Sequence, residues 1–355
     1  MAGNNHRNMK TALLGALLLG CGLFLAGCGF GQEESAAVKS GMALIESRSF
    51  EEAVATLQEA VDGGEHSRLA YRALGIAQMG AGSYEEAAAS LEESMRLAGV
   101  LPGAVDYDTN FYLASCYYKL AEYDKAMDIY NAILEMKPDY TDAYEMRGVT
   151  EITRGSFDAA DADFRRAMQL APTDYDRMIT MYSVMKQYGY EDAGKSYLSE
   201  AIAANLNMSS YDKGRLSYYL ADYDTAKACF EQAQASPDYR ITLMLGKTYI
   251  AQGDLNYASD VYTAYLAADQ THAEIYNELG LCFLSLGSYE KALDAFQNGQ
   301  RAEDGAVRQD LLFNEIVAYE KLGQYSKAKE LMQSYLASYP EDAAAQREQK
   351  FLETR

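Results

Sequence analysis

The sequence predicts an all-α chain of about nine stacked helical hairpins, and three observations predict it. First, an aromatic residue or leucine is followed three residues later by alanine nine times, at Phe50/Ala53, Tyr84/Ala87, Tyr123/Ala126, Phe157/Ala160, Tyr190/Ala193, Tyr223/Ala226, Leu255/Ala258, Tyr289/Ala292 and Tyr325/Ala328. Second, successive alanines stand 34, 39, 34, 33, 33, 32, 34 and 36 residues apart. A period near 34 marks small helical units that bury their apolar faces only against neighbours. Third, glycine stands twelve residues before the alanine in six units, as Gly41, Gly75, Gly148, Gly214, Gly246 and Gly280, where two helices must cross closely. Ala114 fills that slot in the third unit.

The amino-terminal segment comes first. His6, Arg7 and Lys10 precede the uncharged stretch 11–27, which is short for a membrane span and suits a secretion signal. It ends in Leu25-Ala26-Gly27-Cys28, which resembles the lipobox of bacterial lipoproteins. The resemblance implies a signal peptide over 1–27, a diacylglycerol on Cys28, and acyl chains that anchor the rest to a bilayer on the extracytoplasmic side. Residues 28–35 then form a short tether, and 36–342 carry the repeats. Residues 343–355 are left for a carboxy-terminal capping helix or tail.

Each repeat reads alike. In residues 271–304, Ile275, Leu279, Cys282, Phe283 and Leu286 make a helical apolar stripe. Gly287 then suits a left-handed turn, Ser288 an N-cap, and Ala292, Leu293, Ala295 and Phe296 a second helix. Ser49…Glu52 and Ser83…Glu86 have capping-box spacing. In the fifth unit Met181 takes the glycine slot, which predicts a splayed hairpin. In the ninth, Ile316 takes it, which predicts altered packing. Leu101-Pro102-Gly103 lies in the 39-residue spacing and predicts a longer loop.

This pattern resembles the tetratricopeptide repeat, carried by Leu279-Gly280, Phe283, Ala292 and Phe296, by Gly148, Ala160, Phe164, Ala167 and Pro172, by Leu113-Ala114, Tyr117, Ala126, Tyr130 and Pro138, and by Leu245-Gly246, Tyr249, Ala258 and Tyr262. It implies an α-α superhelix whose concave groove, lined by the first helix of each unit, binds a protein or peptide segment. Groove-facing positions lie 15, 11 and 8 residues before the alanine. They select Phe111, Ser115 and Tyr118; Met178, Tyr182 and Met185; Tyr211, Arg215 and Tyr218; and Leu243, Lys247 and Ile250. Tyrosine and methionine suit adaptable contacts, and Arg215 and Lys247 are placed to hold ligand carboxylates. Tyrosine also fills packing slots such as Tyr117, Tyr130, Tyr249 and Tyr262, so the same rings suit the space between helices.

Charge and chemistry narrow the function. The net charge of −21 repels nucleic acid and anionic headgroups on average. There are three histidines, no metal-ligand cluster, no nucleotide fingerprint and no nucleophile motif, so no cofactor, metal or catalysis is expected. Cys116, Cys229 and Cys282 read as small packing residues rather than a disulfide framework. The sequence therefore points to a membrane-anchored adaptor for a protein segment, monomeric rather than oligomeric. The alternatives are a self-associating scaffold lipoprotein and a lipoprotein that captures glycans or small ligands on its tyrosines.

Overall fold

The computed structural model describes residues 35–99, 103–234, 238–302 and 307–355. These form nineteen helices and no strand, which is the expected all-α class. They pair in chain order as hairpin one, α1 (Ala36–Glu46) and α2 (Phe50–Asp62); two, α3 (Arg68–Gly80) and α4 (Tyr84–Arg96); and three, α5 (Ala104–Lys119) and α6 (Tyr123–Met136). Hairpin four is α7 (Thr141–Thr153) and α8 (Phe157–Leu170), five is α9 (Tyr175–Gln187) and α10 (Glu191–Ala204), and six is α11 (Ser210–Tyr219) and α12 (Tyr223–Ala233). Hairpin seven is α13 (Tyr239–Ala251) and α14 (Leu255–Leu266), eight is α15 (Ala273–Ser285) and α16 (Tyr289–Gly299), and nine is α17 (Arg308–Lys321) and α18 (Tyr325–Ser338). A last helix, α19 (Ala343–Glu353), packs on α18. The chain divides into two compact units, Met1–Tyr197 and Leu198–Arg355, with the division falling inside α10.

The small residues set the hairpin crossings. Ala53, Ala87, Ala126, Ala160, Ala226, Ala258, Ala292 and Ala328 are all fully buried. The glycine twelve residues earlier lies under the side chain four residues after the alanine. A Cβ on Gly75 would stand 2.6 Å from Leu91, and one on Gly148 or Gly214 would stand 2.7 Å from the ring of Phe164 or Phe230. Gly41, Gly246 and Gly280 lie as tightly under Leu57, Tyr262 and Phe296. Cys116 and Cys282 are buried in the same layers as free thiols, and burial pushes both up to about 12.

The turn inside each hairpin is set by backbone. The residue five before the alanine is left-handed, as glycine in Gly287 (φ 73°) and Gly323 (φ 71°), but as Ala121 and Ala221 (φ 60° and 62°) in hairpins three and six. The next residue's N–H then donates to the carbonyl five residues back, as from Ser83 to Gln78 (2.9 Å) and Ser288 to Phe283 (2.8 Å). This corrects the expected capping boxes. Ser49, Ser83 and Ser288 make no side-chain cap bond, whereas the longer Asp222, in the same place after left-handed Ala221, accepts from the Thr225 N–H at 3.2 Å. Asp174 and Asp342, in the turns between hairpins, do cap through their side chains.

Hairpin five corrects the register read from its sequence. Gly189 is its left-handed residue (φ 88°), Tyr190 N–H donates to the Met185 carbonyl (2.8 Å), and α10 opens at Glu191. Every one of these marks lies one residue later than the pair Tyr190/Ala193 implies. The small residue is therefore Gly194, and the slot twelve residues earlier holds Tyr182, not Met181. The hairpin is not splayed at this point. A Cβ on Gly194 would lie 3.1 Å from Tyr182 Cδ2 and 3.2 Å from Met185 Cβ, so the close approach is kept with the glycine moved to the second helix. In hairpin nine Ile316 and Met332, both about 1% exposed, share one core cluster.

Tyrosine phenols tie the elements together. Tyr197 donates to Asp161 (2.6 Å), Tyr140 to Asp108 (2.9 Å), Tyr335 to Asp342 (2.6 Å) and Tyr265 to Asp269 (2.8 Å). An acidic, tyrosine-rich composition thus becomes a set of phenol–carboxylate bonds, each charge-assisted and stronger than a neutral pair.

Candidate protein-binding face

The face carried by the first helices differs in character along the chain. In the first unit Phe111, Ser115 and Tyr118 are buried, and so are Glu145, Val149 and Ile152 at the equivalent positions of hairpin four. Phe111 packs edge-on to Tyr140 at 5.9 Å between ring centroids, and the Tyr118 hydroxyl lies 3.2 Å from that of Thr153. Met178, Tyr182 and Met185 are 3%, 3% and 0% exposed. Tyr182 and Met185 lie against Gly194 of the second helix. The positions that now stand 15, 11 and 8 residues before Gly194 are Ile179, Ser183 and Lys186.

Charge on this part of the face is concentrated around Arg177. Its guanidinium meets Asp142 at 2.8 Å, Asp174 at 3.1 Å and Glu145 at short range. One cation serves three carboxylates. Burial pushes the Glu145 carboxyl up to about 7, against the attraction of Arg177. Beside this cluster, Arg147 holds Asp163 through two hydrogen bonds of 2.7 Å.

In the second unit the selected side chains stay half-exposed. Tyr211, Arg215, Tyr218, Lys247 and Ile250 all fall in that class, as do Leu281 and Leu284, while Leu243 and Asn277 are buried. The guanidinium carbons of Arg215 and Arg240 lie 5.3 and 5.7 Å from the Tyr211 ring centroid. Arg215 and Lys247, expected to hold a ligand's carboxylates, each stand beside carboxylates of the chain itself. Lys247 Nζ sits 3.4 Å from Glu274 and 3.5 Å from Glu278, and Arg215 sits 3.5 Å from Asp212. Burial works against the Lys247 charge, but Glu278 and Glu274 outweigh it and raise its pKa above the ordinary lysine value. Burial in turn raises Glu278, against the pull of Lys247. An incoming anion would have to displace these carboxylates.

Cys28 and residues 101–102 lie outside the described residues. Gly103 opens α5, its N–H donating to Asp106 at 2.6 Å. No group of three or more His, Cys, Asp or Glu suited to a metal ion occurs among the described residues. None of the described helices is long and apolar enough to cross a membrane.

Tetratricopeptide repeat models match residues 38–102, 80–148, 141–174, 211–271, 243–306 and 310–342. This chain belongs to the tetratricopeptide repeat family. Among curated proteins it is 31% identical over 101 residues to BBSome complex member BBS4 of Bos taurus, covering 27% of this chain and 20% of that protein. It is 22% identical over 257 residues to DnaJ protein P58IPK homolog B of Oryza sativa subsp. japonica, covering 54% of this chain and 55% of that one. The chain thus spans a fifth to about half the length of these relatives. Among solved structures, yeast Tom70 aligns over 85% of this chain and 84% of its own at 12% identity and a TM-score of 0.49.

The glycine and alanine slots of this tetratricopeptide repeat chain are packing positions throughout. Gly75, Gly148, Gly214, Gly246 and Gly280 lie under side chains of their own hairpins. The register of hairpin five was missed because Tyr190/Ala193 imitates the aromatic-alanine pair. A signal was present: the turn glycine precedes the small residue by five in Gly82/Ala87, Gly155/Ala160, Gly253/Ala258, Gly287/Ala292 and Gly323/Ala328, and Gly189 points the same way to Gly194.

Proposed function

We propose that the chain is a membrane-tethered adaptor, lipidated at Cys28 on the extracytoplasmic side, whose second unit holds a segment of another protein. The observation that carries this reading is the half-exposed row of Tyr211, Arg215, Tyr218 and Lys247 on successive first helices. Tyrosine offers a large contact surface at low conformational cost and is enriched where binding energy concentrates. Repeat chains of this kind spread their surface over many units rather than enclosing one deep pocket, which suits an extended partner. The lipobox-like Leu25-Ala26-Gly27-Cys28 supports the tether, and two or more acyl chains hold a protein stably on a bilayer where one is marginal.

Affinity capture from a detergent-solubilised envelope tests the binding face. The full chain is expected to recover a partner that the Tyr211→Ala/Tyr218→Ala variant loses. Unchanged recovery of every partner by that variant removes the assignment. Metabolic labelling with a fatty acid tests the tether independently, with label expected on the full chain and absent from Cys28→Ser.

A further inference from the structure

A hydrogen bond recurs at three of the junctions between consecutive hairpins. Its tyrosine slot lies nine residues before the repeat alanine, and its partner slot five residues after the alanine of the preceding hairpin. Tyr117 donates at short range to Glu92 between hairpins two and three. Tyr249 donates to Glu231 at 3.2 Å between six and seven. Between eight and nine, Tyr319 accepts from Gln297 at 3.2 Å. A lysine ammonium covers the ring in the first two cases, Lys125 at 4.7 Å from the centroid of Tyr117 and Lys227 at 5.0 Å from that of Tyr249.

At the junction of hairpins seven and eight the two slots hold Phe283 and Thr263. There is no phenol to donate and no carboxylate to accept. The lysine remains, with Lys291 at 5.4 Å from the Phe283 centroid. A cavity of about 650 Å³ lies at this junction, lined by Asn256, Asp260 and Thr263 of α14 and by Phe283, Lys291 and Asp294 of α15 and α16. Its floor is apolar, made by the half-buried Phe283 ring with the buried Tyr276 and Leu279. Its rim is polar and exposed. Asp260 and Asp294 have no ion-pair partner among the described residues, and Asn298 adds a second amide.

We propose that this notch binds a carbohydrate, a pyranose-containing disaccharide with one apolar ring face on Phe283 and its hydroxyls between the α14 and α16 walls. The volume lies within the roughly 300–1,000 Å³ usual for small-molecule sites. A wholly apolar ligand would gain contact with the Phe283 floor but strip water from two carboxylates without pairing them. An anion would meet Asp260 and Asp294. A neutral polyol donates to both carboxylates, exchanges donors and acceptors with the two amides, and accepts from Lys291. The site is separate from the tyrosine row proposed to bind protein, and neither reading depends on the other.

The test restores the missing bond. The full chain in detergent is titrated calorimetrically with cellobiose, maltose and N,N′-diacetylchitobiose, and at least one is expected to bind with a dissociation constant on the order of 1 mM. The Phe283→Tyr/Thr263→Glu variant copies the Tyr249–Glu231 pair into the notch and is expected to abolish that binding while melting no lower than the parent chain. The exposed substitution Asp260→Ala is expected to weaken it about tenfold, which is about 1.4 kcal/mol. Absence of binding by all three sugars overturns the proposal, and so does binding that survives unchanged in Asp260→Ala and in a folded double variant.

Discussion

In hairpin eight the first helix offers Gly280 and the second Phe296; in hairpin nine the same two slots hold Ile316 and Met332. Phe296, Ile316 and Met332 are all buried. A glycine against a large ring and two medium aliphatic chains fill the crossing equally well. Hairpin five adds a third arrangement, with Tyr182 on the first helix and Gly194 on the second. What stays fixed is the burial of the side chains at the crossing, not the residue type in either slot. Dense interiors tolerate volume-conserving exchanges and resist gains or losses on one side alone.

The strongest way to break the comparison is to give hairpin nine half of hairpin eight's solution. Ile316→Gly leaves a cavity and loosens a helix, and is expected to cost about 3–5 kcal/mol in denaturant unfolding. Adding Met332→Phe supplies the ring and should recover part of that loss, a non-additive coupling that a double-mutant cycle reads directly. Strict additivity would show that the two slots do not share a volume. The converse error, Gly280→Leu, forces a side chain into the Phe296 ring and should cost roughly 1–3 kcal/mol, seen as a lower melting temperature.

The turns should not distinguish the two hairpins. Gly287 and Gly323 adopt the same left-handed backbone, so Gly287→Ala and Gly323→Ala are each expected to cost about 1–2 kcal/mol and to cost it equally. Unequal losses would mean that the turn, and not the crossing, sets the difference between the hairpins. Hairpin nine has one further property. Its Glu320 is raised to about 8, first by burial and then by Glu348 of α19. The folded form therefore holds this proton more tightly than the unfolded chain does. The stabilisation is complete below the ordinary carboxylate range and is lost as pH rises through about 8. Amide exchange in α19 should accelerate more between about pH 6 and pH 9 than intrinsic chemistry predicts, and Glu320→Gln should remove the excess. An unchanged excess in that variant would exclude Glu320 as its source.

The hairpins were legible in the sequence because small residues recur at heights that only a crossing explains. Gly75, Gly148, Gly214, Gly246 and Gly280 lie where their spacing from the alanine places them. Two things were harder to read. Register in hairpin five depended on the left-handed residue Gly189, whose role is conformational and does not show in an apolar pattern. The exposure of the first-helix face depended on packing between neighbours: Phe111 and Tyr211 occupy equivalent positions, yet the first is buried and the second half-exposed. The fate of Lys247 was hidden for the same reason, since Glu274 and Glu278 reach it from the next hairpin.

The phenol–carboxylate bonds give the molecule a built-in optical reporter. With 30 tyrosines and no tryptophan, its near-ultraviolet emission comes from phenol alone. A carboxylate that accepts from a phenol also quenches it, by taking the proton in the excited state. Tyr197, Tyr265 and Tyr335 should therefore be dim in the native chain and brighten as each contact opens, so that unfolding raises the emission and no dye or engineered label is needed to follow it.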